Sequence, residues 1–266
     1  MGLSDFKKFA VHEIIHHIQE VKDDNNTLIR LGLCEFNKSK VLGMGLNESA
    51  VQIISSYILS EPLESVKYYG IELSTISPNY YPLICNLMSQ ICYIIGEDIL
   101  YDSTFYSNDN FKNRLIDLTS KKSFEKIEYN FDKLLKFEEQ IAIINNKLAD
   151  KNCSSNKARK YNNLINKYKQ KIKNTFLETQ DCIFTSYFNN QFKKLTCDHD
   201  IEVYKNNLLI YKDLIGISDD YFTFANYNNK MVDKINNEYN SIISNSLIAH
   251  KPNKILDFFK KLFKLN

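Results

Sequence analysis

Helical periodicity constrains this chain more than any other feature. From Phe124 onward, apolar residues return at intervals of three, four and seven: Phe124, Ile127, Phe131, Leu134, Ile141 and Leu148, then Ala158, Tyr161, Ile165, Tyr168 and Ile172. Residues at those intervals share one side of an α-helix, so each run can bury a stripe and keep its polar side in water. Breakers that would stop such helices are scarce, with 7 Gly and 4 Pro in 266 residues. That excludes collagen-like chains and argues against disorder, glycine-rich phosphate loops and all-β architectures. The polar stretch Asn152-Cys153-Ser154-Ser155-Asn156 separates the two runs. This pattern predicts an antiparallel helical hairpin over 124–150 and 156–177. Helices near 201–215 and 227–247 are expected beside it. After Pro252 a basic amphipathic helix is expected over Ile255 to Leu265.

The first half is more interrupted. Phe6, Ala10, Ile14, Ile18 and Val21 predict a helix over 6–21, followed by a turn at Asp23-Asp24-Asn25-Asn26. Leu28 to Phe36 is a short apolar run, possible as an extended segment. Gly43 and Gly45 break the chain before a helix from about Asn47 to Leu59, which Pro62 stops. Pro82 suits the first turn of a helix running to Gly96, and shorter helices follow near 97–105 and 109–119. The expected fold class is mainly α with little β structure. A first domain is expected over 1–118 and a helical domain over 119–266.

Lys+Arg is 34 and Asp+Glu is 32, a net charge of +2. That argues against nucleic-acid binding driven by bulk charge, so no nucleic-acid partner is expected. The start of the chain lacks the apolar core and cleavage site of a signal peptide. The most apolar stretch, Tyr81 to Gly96, is interrupted by Asn86, Ser89 and Gln90 and is too short to span a bilayer. A cytoplasmic protein is expected. The bias toward Asn, Ile, Lys and Tyr suggests an AT-rich bacterial genome. None of the six cysteines has CxxC spacing, which argues against a disulfide framework. Cys85 and Cys92, seven apart on one apolar face, read as small core residues.

One motif carries chemistry. His12-Glu13-Ile14-Ile15-His16 places two imidazoles four apart, one helical turn above each other, so both can reach one tetrahedral zinc. Glu13 can reach the water on that metal and act as its base. At 100° per residue, the aliphatic residues fill an arc around Ile14, Ile15 and Ile18, and the two histidines fall opposite. His17 falls inside the apolar arc and is expected to be structural. The next helix opens with Gly43-Met44-Gly45-Leu46-Asn47-Glu48 and continues to Gln52. Zinc needs a third protein ligand that leaves one position for water. Read alone, Glu48 is also an ordinary carboxylate interacting with a helix N-terminus.

His12-Glu13-x-x-His16 followed by Gly45-Leu46-Asn47-Glu48 resembles gluzincins, the thermolysin-like zinc metallopeptidases. It is similar, more loosely, to small zincin-like proteins of low-GC bacteria, which also share the step Tyr93-Ile94-Ile95-Gly96. The resemblance covers roughly residues 6–118. It implies a zincin-like helical lower subdomain, Zn²⁺ as cofactor, and His12, His16 and Glu48 as metal ligands. It also implies Glu13 as catalytic base and Asn47 and Gln52 as residues supporting the ligands. Thermolysin-like enzymes carry a carboxylate where Gln52 stands; an amide oxygen can still accept from an imidazole N–H. Family members stabilise the transition state with a His or Tyr, for which Tyr68, Tyr69, Tyr80, Tyr81 and His199 are candidates. Zincins also build a substrate-binding β-sheet before HExxH, and eleven residues cannot supply one. The cleft is therefore expected to be open on one side, with weak or no turnover by this chain alone.

The expected function is a zinc-dependent metallopeptidase, or a peptidase-like domain of a longer protein, acting on a peptide or protein substrate. The alternative is a non-catalytic helical interaction protein with a structural or vestigial zinc. A third reading rests on Lys254, Lys260, Lys261 and Lys264 flanking Phe258, Phe259, Leu262 and Phe263, a pattern compatible with a membrane surface. A helix docked on its own domain has the same pattern.

Overall fold

The computed structural model describes residues 3–37, 40–150, 153–215 and 223–249. The first helix, α1 (Leu3–Ile18), leads into four short strands, β1 (Glu20–Lys22), β2 (Leu28–Leu31), β3 (Cys34–Asn37) and β4 (Lys40–Leu42). Helix α2 (Met44–Ile58), a hairpin of β5 (Glu64–Tyr68) and β6 (Ile71–Thr75), and helices α3 (Pro82–Ile95), α4 (Glu97–Tyr106) and α5 (Asn110–Leu118) follow. The rest is helical: α6 (Lys121–Leu148), α7 (Ser155–Phe192), α8 (Asp198–Ile215) and α9 (Thr223–Ala249).

The mainly helical class holds, but the β content is larger than expected. Residues 20–42 form an antiparallel four-stranded sheet in the order β1-β2-β3-β4, with Glu20 opposite Leu31, Arg30 opposite Glu35 and Phe36 opposite Val41. Strands of three or four residues show too little alternation to stand out in sequence. The turn at 23–26 is present and joins β1 to β2. The Asp23 carboxylate accepts from the backbone N–H of Asn25 (2.9 Å) and Thr27 (2.8 Å). A second sheet, β5-β6, closes through Tyr69 (φ 50) and Gly70 (φ 81). Two left-handed residues in succession give the hairpin a turn whose twist matches its strands.

The long hairpin is as expected in kind and longer in extent. Ser120 and Ser154 cap α6 and α7 by accepting from the backbone N–H of Ser123 and Lys157. Helix α6 is about 42 Å long and α7 about 57 Å at 1.5 Å per residue. Phe131, Leu134 and Ile172 are completely buried and Ile165 nearly so. Each contributes about 1.5–3 kcal/mol. Helix α7 runs past the expected end at 177 to Phe192 because Ile183, Phe184 and Phe188 keep an apolar stripe in the core. The polar stretch Glu178-Thr179-Gln180-Asp181 hides this continuation; the Thr179 hydroxyl donates to the Thr175 carbonyl inside the helix.

Pro82 occupies the first turn of α3, and Gly96 (φ 98) ends it. Helix α3 sits in the middle of a core that runs from Leu33 to Ile235, crossing the link between α5 and α6 at which the expected domain boundary falls. Cys85 and Cys92 lie in that core, and all six cysteines are free. Among the described residues no single helix is long and apolar enough to cross a membrane. The expected terminal helix Ile255 to Leu265 lies outside the described residues.

Helix α2 starts earlier than expected, with Gly45 inside it. A Cβ at Gly45 would stand 2.4 Å from the backbone carbon of Phe131, so its absence lets α2 approach the α6 backbone. Asp132 on α6 then caps α2 from outside. Its carboxylate accepts from the N–H of Gly43 (3.1 Å) and Gly45 (2.7 Å), two donors that a helix start leaves unpaired. Helix α1 lies on α2 through a small cluster of Ile15, Val51 and Ile54, with Val11, Tyr101 and Phe105 around it. Facing one main neighbour, it buries only that side. Ile14 and Ile18 are exposed, contrary to the wheel, and the expected structural His17 is 84 % exposed, with Glu20 beside it at 3.5 Å.

Candidate metal centre

The stripe of α1 next to Ile15 carries His12 and His16, and it faces the first turns of α2. The core contacts of Ile15 with Val51 and Ile54 set the helices at a spacing that brings Glu48 to both imidazoles. His12 Nε2 stands 3.4 Å from Glu48 Oε2, and His16 Nε2 stands 3.4 Å from Glu48 Oε1. The two Nε2 atoms are 2.9 Å apart, with the rings edge to face. One ligand atom from each of His12, His16 and Glu48 lies within 4.8 Å of the others, so the group can hold a metal ion.

The backs of both rings face amide oxygens. His12 Nδ1 faces Gln52 Oε1 at 3.1 Å, and His16 Nδ1 faces Gln19 Oε1 at 3.3 Å. An amide oxygen only accepts, so a ring that gives its Nδ1 hydrogen to that oxygen turns Nε2 to the centre, as a lone pair when the ring is neutral. Three potential ligand atoms then converge, and while no metal is bound His16 Nε2 can share its hydrogen with Glu48. That donor set, two imidazole nitrogens and one carboxylate oxygen, is the one a catalytic zinc takes.

A second layer holds this arrangement. Asn47 donates from Nδ2 to Gln19 Oε1 (3.3 Å), which also receives His16, and accepts at Oδ1 from the Leu33 backbone N–H (3.0 Å). Asn47 therefore ties the sheet, α2 and the end of α1 together. The Ser107 hydroxyl donates to the Gln19 carbonyl (2.6 Å) and accepts from the Gly32 N–H (2.9 Å), adding the end of α4. Gln52 also donates to the Ser56 hydroxyl at 3.4 Å. Gln19 was not identifiable from sequence; it stands three residues after His16, at a helix end with no distinguishing pattern.

The electrostatics follow. Burial raises the Glu48 carboxyl, but hydrogen bonds from His12 and His16 outweigh it and hold the group at about 2. Burial lowers His16, and the hydrogen bond and charge of Glu48 outweigh that, leaving it above its ordinary value. In the metal-free protein a proton on His16 is favoured by the Glu48 carboxylate beside it. A metal must displace that proton, which makes its affinity rise with pH.

The cluster lies in a cleft of about 540 Å³, with Phe9, Leu31 and Met44 among its apolar walls. Strand β2, within the candidate extended segment Leu28 to Phe36, thus reaches the cleft through Leu31. Glu13 also lines the cleft and makes no hydrogen bond or ion pair among the described residues. Lys8 at the rim is paired with Glu61 at 2.8 Å.

Of the candidate stabilisers, Tyr80 and Tyr81 line this cleft. Burial raises the Tyr81 hydroxyl to about 12, with Glu48, Glu138, Cys85 and Glu13 adding to it, so it stays a neutral donor. Tyr68 and Tyr69 line a neighbouring cavity, whereas His199 lies apart, beside Tyr187 and Tyr204. Tyr81 (φ 52) caps the start of α3 in the left-handed region, where a bulky side chain is strained. Tyr69 shares that feature, so two of the five non-glycine residues with positive φ among the described residues are tyrosines facing these cavities. Compared with known protein families, curated proteins and solved structures, the chain has no match.

Proposed function

We propose that this chain is a zinc-dependent metallopeptidase, with His12, His16 and Glu48 as metal ligands and Glu13 as general base. One observation carries the reading: three candidate ligand atoms, from His12, His16 and Glu48, lie within 4.8 Å of one another in an open cleft that also holds a carboxylate from the same helix as the histidines. Structural zinc sites close four protein ligands around the ion, whereas catalytic sites use three and keep a position free. The non-catalytic alternative has no comparable observation in its favour.

Bound zinc supplies a Lewis acid that polarises the scissile carbonyl and lowers the pKa of the attacking water. The remaining work falls to the chain. Glu13 accepts the proton of that water and delivers it to the leaving amine nitrogen. Gln52 and Gln19 hold the two imidazoles in the tautomer that leaves Nε2 free. Tyr80 or Tyr81 donates a hydrogen bond to the oxygen on which negative charge develops. Phe9, Leu31 and Met44 offer apolar surface to a substrate side chain.

The test uses the zinc-loaded full chain and a library of quenched fluorescent peptides. Glu13→Gln is expected to keep stoichiometric zinc and to lose turnover by about 10²–10⁴-fold. Full turnover by Glu13→Gln places the chemistry elsewhere, and no turnover by the native chain against any peptide favours the non-catalytic alternative.

A further inference from the structure

A second cavity, of about 650 Å³, adjoins the metal cleft, and Glu48, Tyr80 and Tyr81 stand in the walls of both. Its other walls include Tyr68, Tyr69, Asn79 and Asn145, with Glu138 and Glu139 from α6. No lysine, arginine or histidine among the described residues lines it. Glu138 is the anomaly. Its Oε1 is buried and has no hydrogen-bond partner, and no cation pairs with its carboxylate among the described residues. A carboxylate oxygen withdrawn from water without a partner is costly to the fold.

The surroundings explain what that cost can serve. Tyrosine rings attract cations to their faces, and four of them surround this space. Two are held at strained positive φ, Tyr69 on the β5–β6 turn and Tyr81 at the start of α3. A bulky side chain is strained in that region relative to an ordinary conformation. The amide oxygens of Asn79 and Asn145 add acceptors, and Glu139 adds negative charge. Backbone strain and an unpaired acid in one chamber beside a candidate active site are the marks of a site that awaits its ligand.

We infer that this chamber is a substrate subsite for an ammonium or guanidinium group, seated against Glu138 among Tyr68, Tyr69, Tyr80 and Tyr81. Resting on the metallopeptidase reading, the inference makes the substrate a peptide with a positive charge next to the scissile bond. That charge is a lysine or arginine side chain or a free amino terminus. Burial alone raises the Glu138 carboxyl to about 7, with no charged partner opposing it, as expected for a carboxylate whose counter-ion arrives with the substrate.

Four hydroxamates test this by calorimetry on the zinc-loaded full chain at pH 8: N-acetyl-lysine, norleucine, lysine and N-acetyl-norleucine hydroxamate. The hydroxamate takes the metal and the rest samples the chamber. N-acetyl-lysine hydroxamate binding at least about tenfold tighter than its neutral counterpart identifies a side-chain cation, and the same gain for norleucine hydroxamate identifies the α-amine. The isosteric Glu138→Gln should erase the gain and leave the neutral probe unchanged. Equal affinities for neutral and cationic probes, or a gain that survives Glu138→Gln, overturn the inference. A separate arm needs no metal: n-butylammonium should bind the zinc-free native chain and not Glu138→Gln. Should zinc fail to bind while butylammonium still distinguishes the two, the peptidase reading falls and the cation site stands. If butylammonium binds neither chain, or both alike, the cation site falls.

Discussion

Replacing Gly32 by alanine should destabilise the fold and weaken the metal site together. Gly32 sits at φ +55, which costs an L-residue about 1–2 kcal/mol. A Cβ there would stand 2.2 Å from Asn47 Oδ1 and 2.5 Å from Gln19 Nε2. Both side chains must move. Asn47 Oδ1 then leaves the Leu33 N–H, and a buried donor without its partner costs a further 1–3 kcal/mol or so. The total is about 2–5 kcal/mol, a large share of the usual stability of a domain. The displaced Gln19 also releases His16 Nδ1, and losing a support of this kind typically weakens metal binding about 10–100-fold. Gly70→Ala is the control, because φ there is +81 but nothing lies within 4 Å of the added carbon. Urea unfolding of the zinc-free chains should place Gly32→Ala about 1–3 kcal/mol below Gly70→Ala. Chelator competition should show reduced zinc affinity only in Gly32→Ala. Equal stability of the two variants, with native zinc affinity in both, would refute the account of how Asn47 and Gln19 hold His16.

Gln52→Leu should weaken zinc binding about 10–100-fold by freeing His12 Nδ1, with little change in melting temperature, as read by the same chelator competition. Asp132→Ala should cost about 1–2 kcal/mol in urea unfolding, because it removes the acceptor for the Gly43 and Gly45 N–H groups. Glu138 has a folded value of about 7 against 4.5 for a free carboxyl, so the folded state holds its proton more tightly. Its contribution is fully present below pH 4.5 and is lost as pH rises through 7. Glu138→Gln should therefore gain on the native chain by up to about 3 kcal/mol between pH 4.5 and pH 8, measured as the difference of two urea series.

Long elements and short-range chemistry were legible in the sequence for a physical reason. Helices α6 and α7 repeat their apolar spacing over many turns, so a few polar interruptions do not hide them. The pair His12 and His16 is fixed by helical pitch alone. Glu48 came from resemblance, and the structure brings it to both imidazoles at 3.4 Å. The extended segment Leu28 to Phe36 holds β2 and most of β3, whereas β1 and β4 escaped because each is three residues long and largely exposed, and their pairing is set by neighbours rather than by their own pattern. Gly45 read as a breaker, yet it is a contact glycine, since only the position of Phe131 on a helix 86 residues away reveals the close approach. His17 and Ile18 read as buried because a wheel assumes a helix covered on its whole apolar arc. Glu138 carries no local signal: its meaning lies in having no partner, which a sequence does not display.

Direct zinc titration of the full chain against a chelator of known affinity tests the central claim. The account predicts one Zn²⁺ per chain. His16→Ala and Glu48→Gln should each lose at least about a hundredfold in affinity, since each removes one of three protein ligands. His17→Ala should match the native chain, because His17 points to solvent. A native chain that takes up no zinc, or a His16→Ala variant that binds it as tightly as the native chain, would contradict the account.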